Sequence, residues 1–104
     1  MTKKKAKKLT LEIWTYLRDH PEIESKFELP PQLFKKIINL RGKCPLCEFF
    51  QIIPCKQGED RCPLIDIIHP DYCFNYVRWK EAKTPELRKE YASVIVKKVK
   101  AWKV

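Results

Sequence analysis

Five cysteines, Cys44, Cys47, Cys55, Cys62 and Cys73, are the only ones in the chain, and all fall within one thirty-residue stretch. Their spacing is C-x2-C-x7-C-x6-C-x10-C. Cys44-Pro45-Leu46-Cys47 is a C-x-x-C pair, and two thiolates at that spacing can grip one metal ion from the same side. Structural zinc takes four ligands in a tetrahedron, with Zn–S of about 2.3 Å. Cys55, Cys62 and Cys73 are three candidates for the two remaining positions, with His20 and His69 in reserve. His69 directly precedes Pro70 and reads more simply as a loop residue. The spacing is not that of a ribbon with two C-x2-C pairs, so other chemistries stay open. Four cysteines also suit an iron–sulfur cluster, although the usual ferredoxin run is absent. A redox dithiol at Cys44 and Cys47 would need a βαβ setting that the flanks do not offer. Small thiols also simply pack. Zinc is the expected cofactor, with an iron–sulfur cluster as the alternative. In small finger peptides such a metal contributes roughly 10–16 kcal/mol of apparent binding energy, enough to decide whether a region folds.

The second chemical feature is charge. The formal excess of +9 is carried by Lys3, Lys4, Lys5, Lys7, Lys8, Lys97, Lys98, Lys100 and Lys103, and the rest of the chain is neutral. Lysines at the end of a last helix suit its dipole. A basic cluster is equally an electrostatic footprint for phosphate. The candidate nucleic-acid contacts are Lys3, Lys4, Lys5, Lys7, Lys8, Lys97 and Lys100. No catalytic set is visible: there is no G-x-S-x-G, and two glycines do not build a phosphate loop. Glu59-Asp60 reads as a solvated loop tip. The chain is expected not to be an enzyme.

These groups need elements to hold them. Residues 1–8 read as a disordered lysine tail. Leu9, Ile13 and Leu17, with Trp14 and Tyr16, predict a helix from Leu9 to Asp19, with Thr10 as a cap and His20-Pro21 as the stop. Pro21 to Leu29 is a connector, with a helical turn at Glu22 to Lys26. Pro30 and Pro31 open a second helix with Leu33, Phe34, Ile37, Ile38 and Leu40 buried, closed by Gly42. Glu48 to Ile53 fits a short strand or a helical turn. Gln57 to Asp60 is a loop tip, and Pro63 to Ile68 is a short apolar run. A third helix starts at Pro70-Asp71 and runs to about Ala82, with Phe74, Val77 and Arg78 on one face. Thr84-Pro85-Glu86 is the clearest helix start. The last helix then runs to about Ala101, with Leu87, Tyr91, Val94, Ile95, Val99 and Trp102 as its stripe. The aromatic residues mostly fall on such stripes and read as core.

Trp14 with Leu17-Arg18-Asp19-His20-Pro21, then Cys44-Pro45-Leu46-Cys47, Cys62-Pro63-Leu64, and Cys73 followed by Tyr76 and Trp79, resembles a class of small cysteine-rich, uncharacterised proteins of bacteriophages and prophages. The resemblance implies a recurring frame of Cys44, Cys47, Cys62 and Cys73. Cys55 departs from that frame, standing farther upstream of Cys62 than the pattern places a cysteine. The fold expected is mainly α: residues 9–104 form a single helical domain with a metal-stabilised cysteine-rich loop region at 44–73. The expected function is that of a structural-zinc accessory protein of phage or mobile-element type, acting by macromolecular binding. The alternatives are an iron–sulfur or dithiol electron-transfer protein and a non-specific nucleic-acid-binding protein. MTKKKAKK is not followed by an apolar h-region, because Thr and Glu interrupt LTLEIWTYL, so no secretory signal is expected. Nor is there an apolar run long enough for a membrane partner. The expected location is cytoplasmic, the host's cytoplasm for a phage product, where thiols stay reduced.

Overall fold

The computed structural model describes residues 1–40, 43–50, 62–64 and 74–103. Among these, the regular elements are helices: α1 (Lys3–Asp19), a single 3₁₀ turn (Lys26–Glu28), α2 (Pro31–Phe34), α3 (Pro45–Phe50), α4 (Phe74–Glu81) and α5 (Pro85–Ala101). The mainly α expectation holds.

The first helix corrects the expectation of a disordered tail at 1–8 and of a start at Leu9. It begins at Lys3, where the Thr2 side chain caps it by accepting from the Lys5 N–H at 3.1 Å. Lysine is a good helix former, and Ala6 is fully buried, so these turns are tied to the core. Thr10 is therefore not a cap. It lies inside the helix, buried, and its hydroxyl donates to the Ala6 carbonyl at 2.7 Å, the local bond that satisfies a mid-helix threonine. The expected end at Asp19 is observed.

The last helix has the expected bounds and the expected Thr84 cap, which accepts from the Leu87 N–H at 3.2 Å. Its buried face is different. Arg88, Ala92, Ile95, Val96 and Val99 are buried, a regular i, i+4, i+7, i+8, i+11 stripe. Leu87 and Val94 are exposed at 36% and 37%. The expected stripe was rotated, because apolar character alone favoured Leu87 and Val94 over Ala92 and Arg88.

α5 packs on both α1 and α4, and α3 packs on α1. The start of α1 meets the end of α5, where Lys7 Nζ bonds the Lys100 and Trp102 carbonyls. At the opposite end Arg88 Nε donates to the Pro21 carbonyl at 2.7 Å. The two long helices are thus antiparallel. Ile13, Trp14 and Leu17 from α1 meet Ile95 and Val99 from α5, with Trp79 from α4 and Leu46 from α3 completing one core. Burying each large apolar side chain stabilises by about 1.5–3 kcal/mol. A Cα radius of gyration of 12.7 Å matches the roughly 13 Å of a folded chain of about 100 residues.

The shorter elements depart further from expectation. α2 stops at Phe34 and gives way to successive turns up to Leu40. The stripe breaks with it: Ile37 is buried but Ile38 is 46% exposed. The connector turn falls at Lys26–Glu28, after Ser25 as cap, in place of Glu22 to Lys26. Residues 48–50 of the strand-or-turn segment are helical. On α4 the buried side chains are Asn75 and Trp79, and Arg78 is exposed. Gly42, residues 51–53, the 57–60 tip, residues 65–68 and the 70–73 helix start lie outside the described residues.

Candidate nucleic-acid interface and cysteine centre

Antiparallel pairing of α1 with α5 brings two lysine clusters from opposite ends of the sequence to one end of the fold. Lys7 is the seam. Its ammonium donates to the Trp102 carbonyl at 2.6 Å and to the Lys100 carbonyl at 3.2 Å. These oxygens belong to the last turn of α5, where carbonyls lack helical partners and the dipole favours a cation. Lys3 lies with its Nζ 5.1 Å from the centre of the Trp102 ring. Around this seam Lys4, Lys5, Lys8, Lys97, Lys98, Lys100 and Lys103 are exposed. Sequence reading treated the clusters as separate ends and Trp102 as core. Trp102 packs against the core as expected but is only half-buried, and its ring makes a T-shaped contact with that of Phe49 at 6.1 Å.

The cysteine centre is built on the start of α3. Lys43 takes a positive φ of 50°, which turns the backbone into the helix at a cost for a residue with a Cβ. Pro45 follows as the first helical residue, its missing N–H not needed there, and the Glu48 N–H closes the first turn on the Cys44 carbonyl at 3.1 Å. Cys44 and Cys47 therefore sit one turn apart, as the C-x-x-C reading requires. Hydrogen bonding to the Cys47 side chain, with burial added, pushes the Cys44 thiol well above its ordinary value near 9.0, and the Lys26 ammonium pulls it the other way.

Cys62 is buried at 2% exposure, in a turn that Asn75 anchors by donating to the Leu64 carbonyl at 2.6 Å. Among the described residues no three His, Cys, Asp or Glu side chains are grouped to hold a metal ion. The described thiols therefore give one adjacent pair, which fits half of a tetrahedral thiolate site, with Cys62 apart from it. Cys55, Cys73 and His69 lie outside the described residues. His20 sits at the end of α1, where its Nδ1 lies 2.9 Å from the Tyr16 carbonyl and its ring stacks on Tyr16 at 3.9 Å.

Beside the cysteine pair stands a buried lysine that sequence reading missed. Lys26 is only 5% exposed. Its Nζ donates to the Lys43 carbonyl at 3.0 Å and lies 4.4 Å from the Tyr76 ring centre and 5.8 Å from that of Trp14. Trp14 and Trp79 pack edge to face at 5.2 Å behind it. Lys26 thus holds the backbone turn that leads into Cys44. A connector residue carries no periodicity, so no pattern in the sequence could have marked it.

No protein-family model matches the chain, and neither the curated proteins nor the solved structures contain a match to it. No helix among the described residues is long and apolar enough to cross a membrane.

Proposed function

We propose that this chain is a small helical binding module that docks its lysine-rich end on the phosphate backbone of a nucleic acid, without catalysis. The observation that carries this reading is the Lys7 bridge to Lys100 and Trp102. It joins two basic clusters at one end of the fold, and the lysines of those clusters account for the formal excess charge of +9. Charge of one sign gathered at one end attracts a polyanion at long range. In this reading the cysteine region is structural: Cys44 and Cys47 hold one side of a zinc ion, and the resemblance to phage-type proteins proposes Cys62 and Cys73 for the other, which requires Cys62 to close on the pair when metal binds. An accessory role in a phage or mobile element rests on that resemblance.

The test is a salt titration of binding to random-sequence nucleic acid. If about six lysines meet phosphates, log K falls against log salt with a slope of about −5. Substituting Lys4, Lys8, Lys97 or Lys98 singly by Gln should lower that slope by about 1 each. Point substitutions are the right probe, because removing residues 1–8 would also remove buried Ala6. Affinity weaker than about 10⁻⁴ M at 50 mM salt overturns the reading.

A further inference from the structure

We infer that the Trp102 ring is a stacking platform for an unpaired base, and that the nucleic acid this face takes is single-stranded. The inference rests on the basic-face reading above. Of the three tryptophans, Trp14 and Trp79 are sealed in the core at 2% and 1% exposure, while Trp102 is half-buried. Trp102 leaves the helical path at the end of α5, with φ −70° and ψ 122°, and its ring lies where the two lysine clusters meet. Its backbone carbonyl is held by Lys7 at 2.6 Å, and its ring meets that of Phe49 in a T-shaped contact at 6.1 Å. Main chain and ring are therefore both positioned before any ligand arrives.

One face of that ring carries the Lys3 ammonium at 5.1 Å. A cation there marks the negative face of the indole. Lys3 is a long, flexible arm, so an incoming strand can exchange partners with it: the ammonium swings to a phosphate and a base takes its place on the ring. A groove of positive charge with an aromatic ring in its path is how sequence-tolerant single-strand binders work. A duplex keeps its bases paired and stacked, so it gains only the charge contacts. Base–aromatic stacking is worth roughly 5- to 150-fold in affinity per base.

The experiment uses the full chain with a thirty-nucleotide oligothymidylate and a random thirty-base-pair duplex, both at 50 mM salt. Intrinsic tryptophan fluorescence is read alongside affinity. Because Trp14 and Trp79 are sealed, saturable quenching by the single strand reports Trp102. Trp102→Leu should weaken single-strand binding at least about fivefold more than it weakens duplex binding, with Trp102→Phe between the two. Should Trp102→Leu fail to fold, quenching in the unaltered protein decides. Equal affinity for both nucleic acids with no quenching overturns the stacking site and leaves the basic face standing. Absence of binding to either overturns the basic-face reading and the stacking site with it.

Discussion

Lys7 Nζ lies 2.6 Å from the carbonyl oxygen of Trp102, a contact that spans almost the whole sequence. Two lysine clusters that repel one another are held side by side by an ammonium of the first cluster, which satisfies the bare carbonyls at the end of α5. The same residue therefore serves stability and brings the basic face together.

Lys7→Met should lower the unfolding free energy by about 1–2 kcal/mol, because two carbonyls lose a charged donor in a partly buried setting. Lys8→Met, which removes an exposed ammonium, should change stability by less than about 0.5 kcal/mol. Urea denaturation of the two variants checks the contrast, and equal losses would contradict it.

Arg88 is the corresponding clasp at the other end. It is 4% exposed and donates to the Pro21 carbonyl at 2.7 Å and the Ala82 carbonyl at 3.2 Å. Arg88→Ala should cost about 3–5 kcal/mol. Its partner Glu24, 3.7 Å away with a side chain 72% exposed, contributes little, so Glu24→Gln should stay within about 0.5 kcal/mol. Thermal unfolding of both variants separates the carbonyl clasp from the ion pair.

Cys44 makes stability depend on alkaline pH in the reduced, metal-free protein. Its thiol is raised in the folded state, so the fold favours the protonated form. The contribution is complete below the unfolded thiol's value near 9.0 and is lost as pH rises from there through the higher folded value. Stability should fall above pH 9, and Cys44→Ala should flatten that decline. A decline of unchanged slope in the variant would assign it to other groups.

Removing metal tests the cysteine centre. Purified under reducing conditions, the protein should carry about one zinc per chain, and excess chelator should release it and lower the stability of the fold. Cys62→Val keeps an apolar side chain of similar size in a buried position while deleting a thiolate, so it should abolish zinc binding. Cys55→Ser should retain the metal. Elemental analysis decides: zinc kept by Cys62→Val, or lost equally from both, removes Cys62 from the ligand set.

The legible parts of the fold were those governed by local rules. Thr84-Pro85-Glu86 carries cap, proline and acid in adjacent positions, and α5 starts there. His20-Pro21 stops α1 as the pre-proline rule requires. Where tertiary contact decided, sequence reading failed. Residues 3–8 carry five lysines and no apolar stripe, and only the docking of Ala6 and the reach of Lys7 make that segment part of the fold. Arg88 and Lys26 are buried through bonds to carbonyls distant in sequence, and charged residues are almost never fully buried unless paired. The C-x-x-C pair was visible from spacing. The meeting of the two lysine clusters at one end was not, because it arises from antiparallel pairing across the whole sequence.

That pairing also sets an order of events. α1 buries Ala6, Ile13 and Leu17 in a core that α5 helps to build, and residues 20–84 intervene between the two helices. Closing so long a loop costs entropy before any contact repays it. During synthesis at about 5–20 residues per second, α1 therefore waits several seconds with its apolar stripe uncovered. It waits as a lysine-rich amphipathic helix, and its own charge keeps the unfinished chains apart.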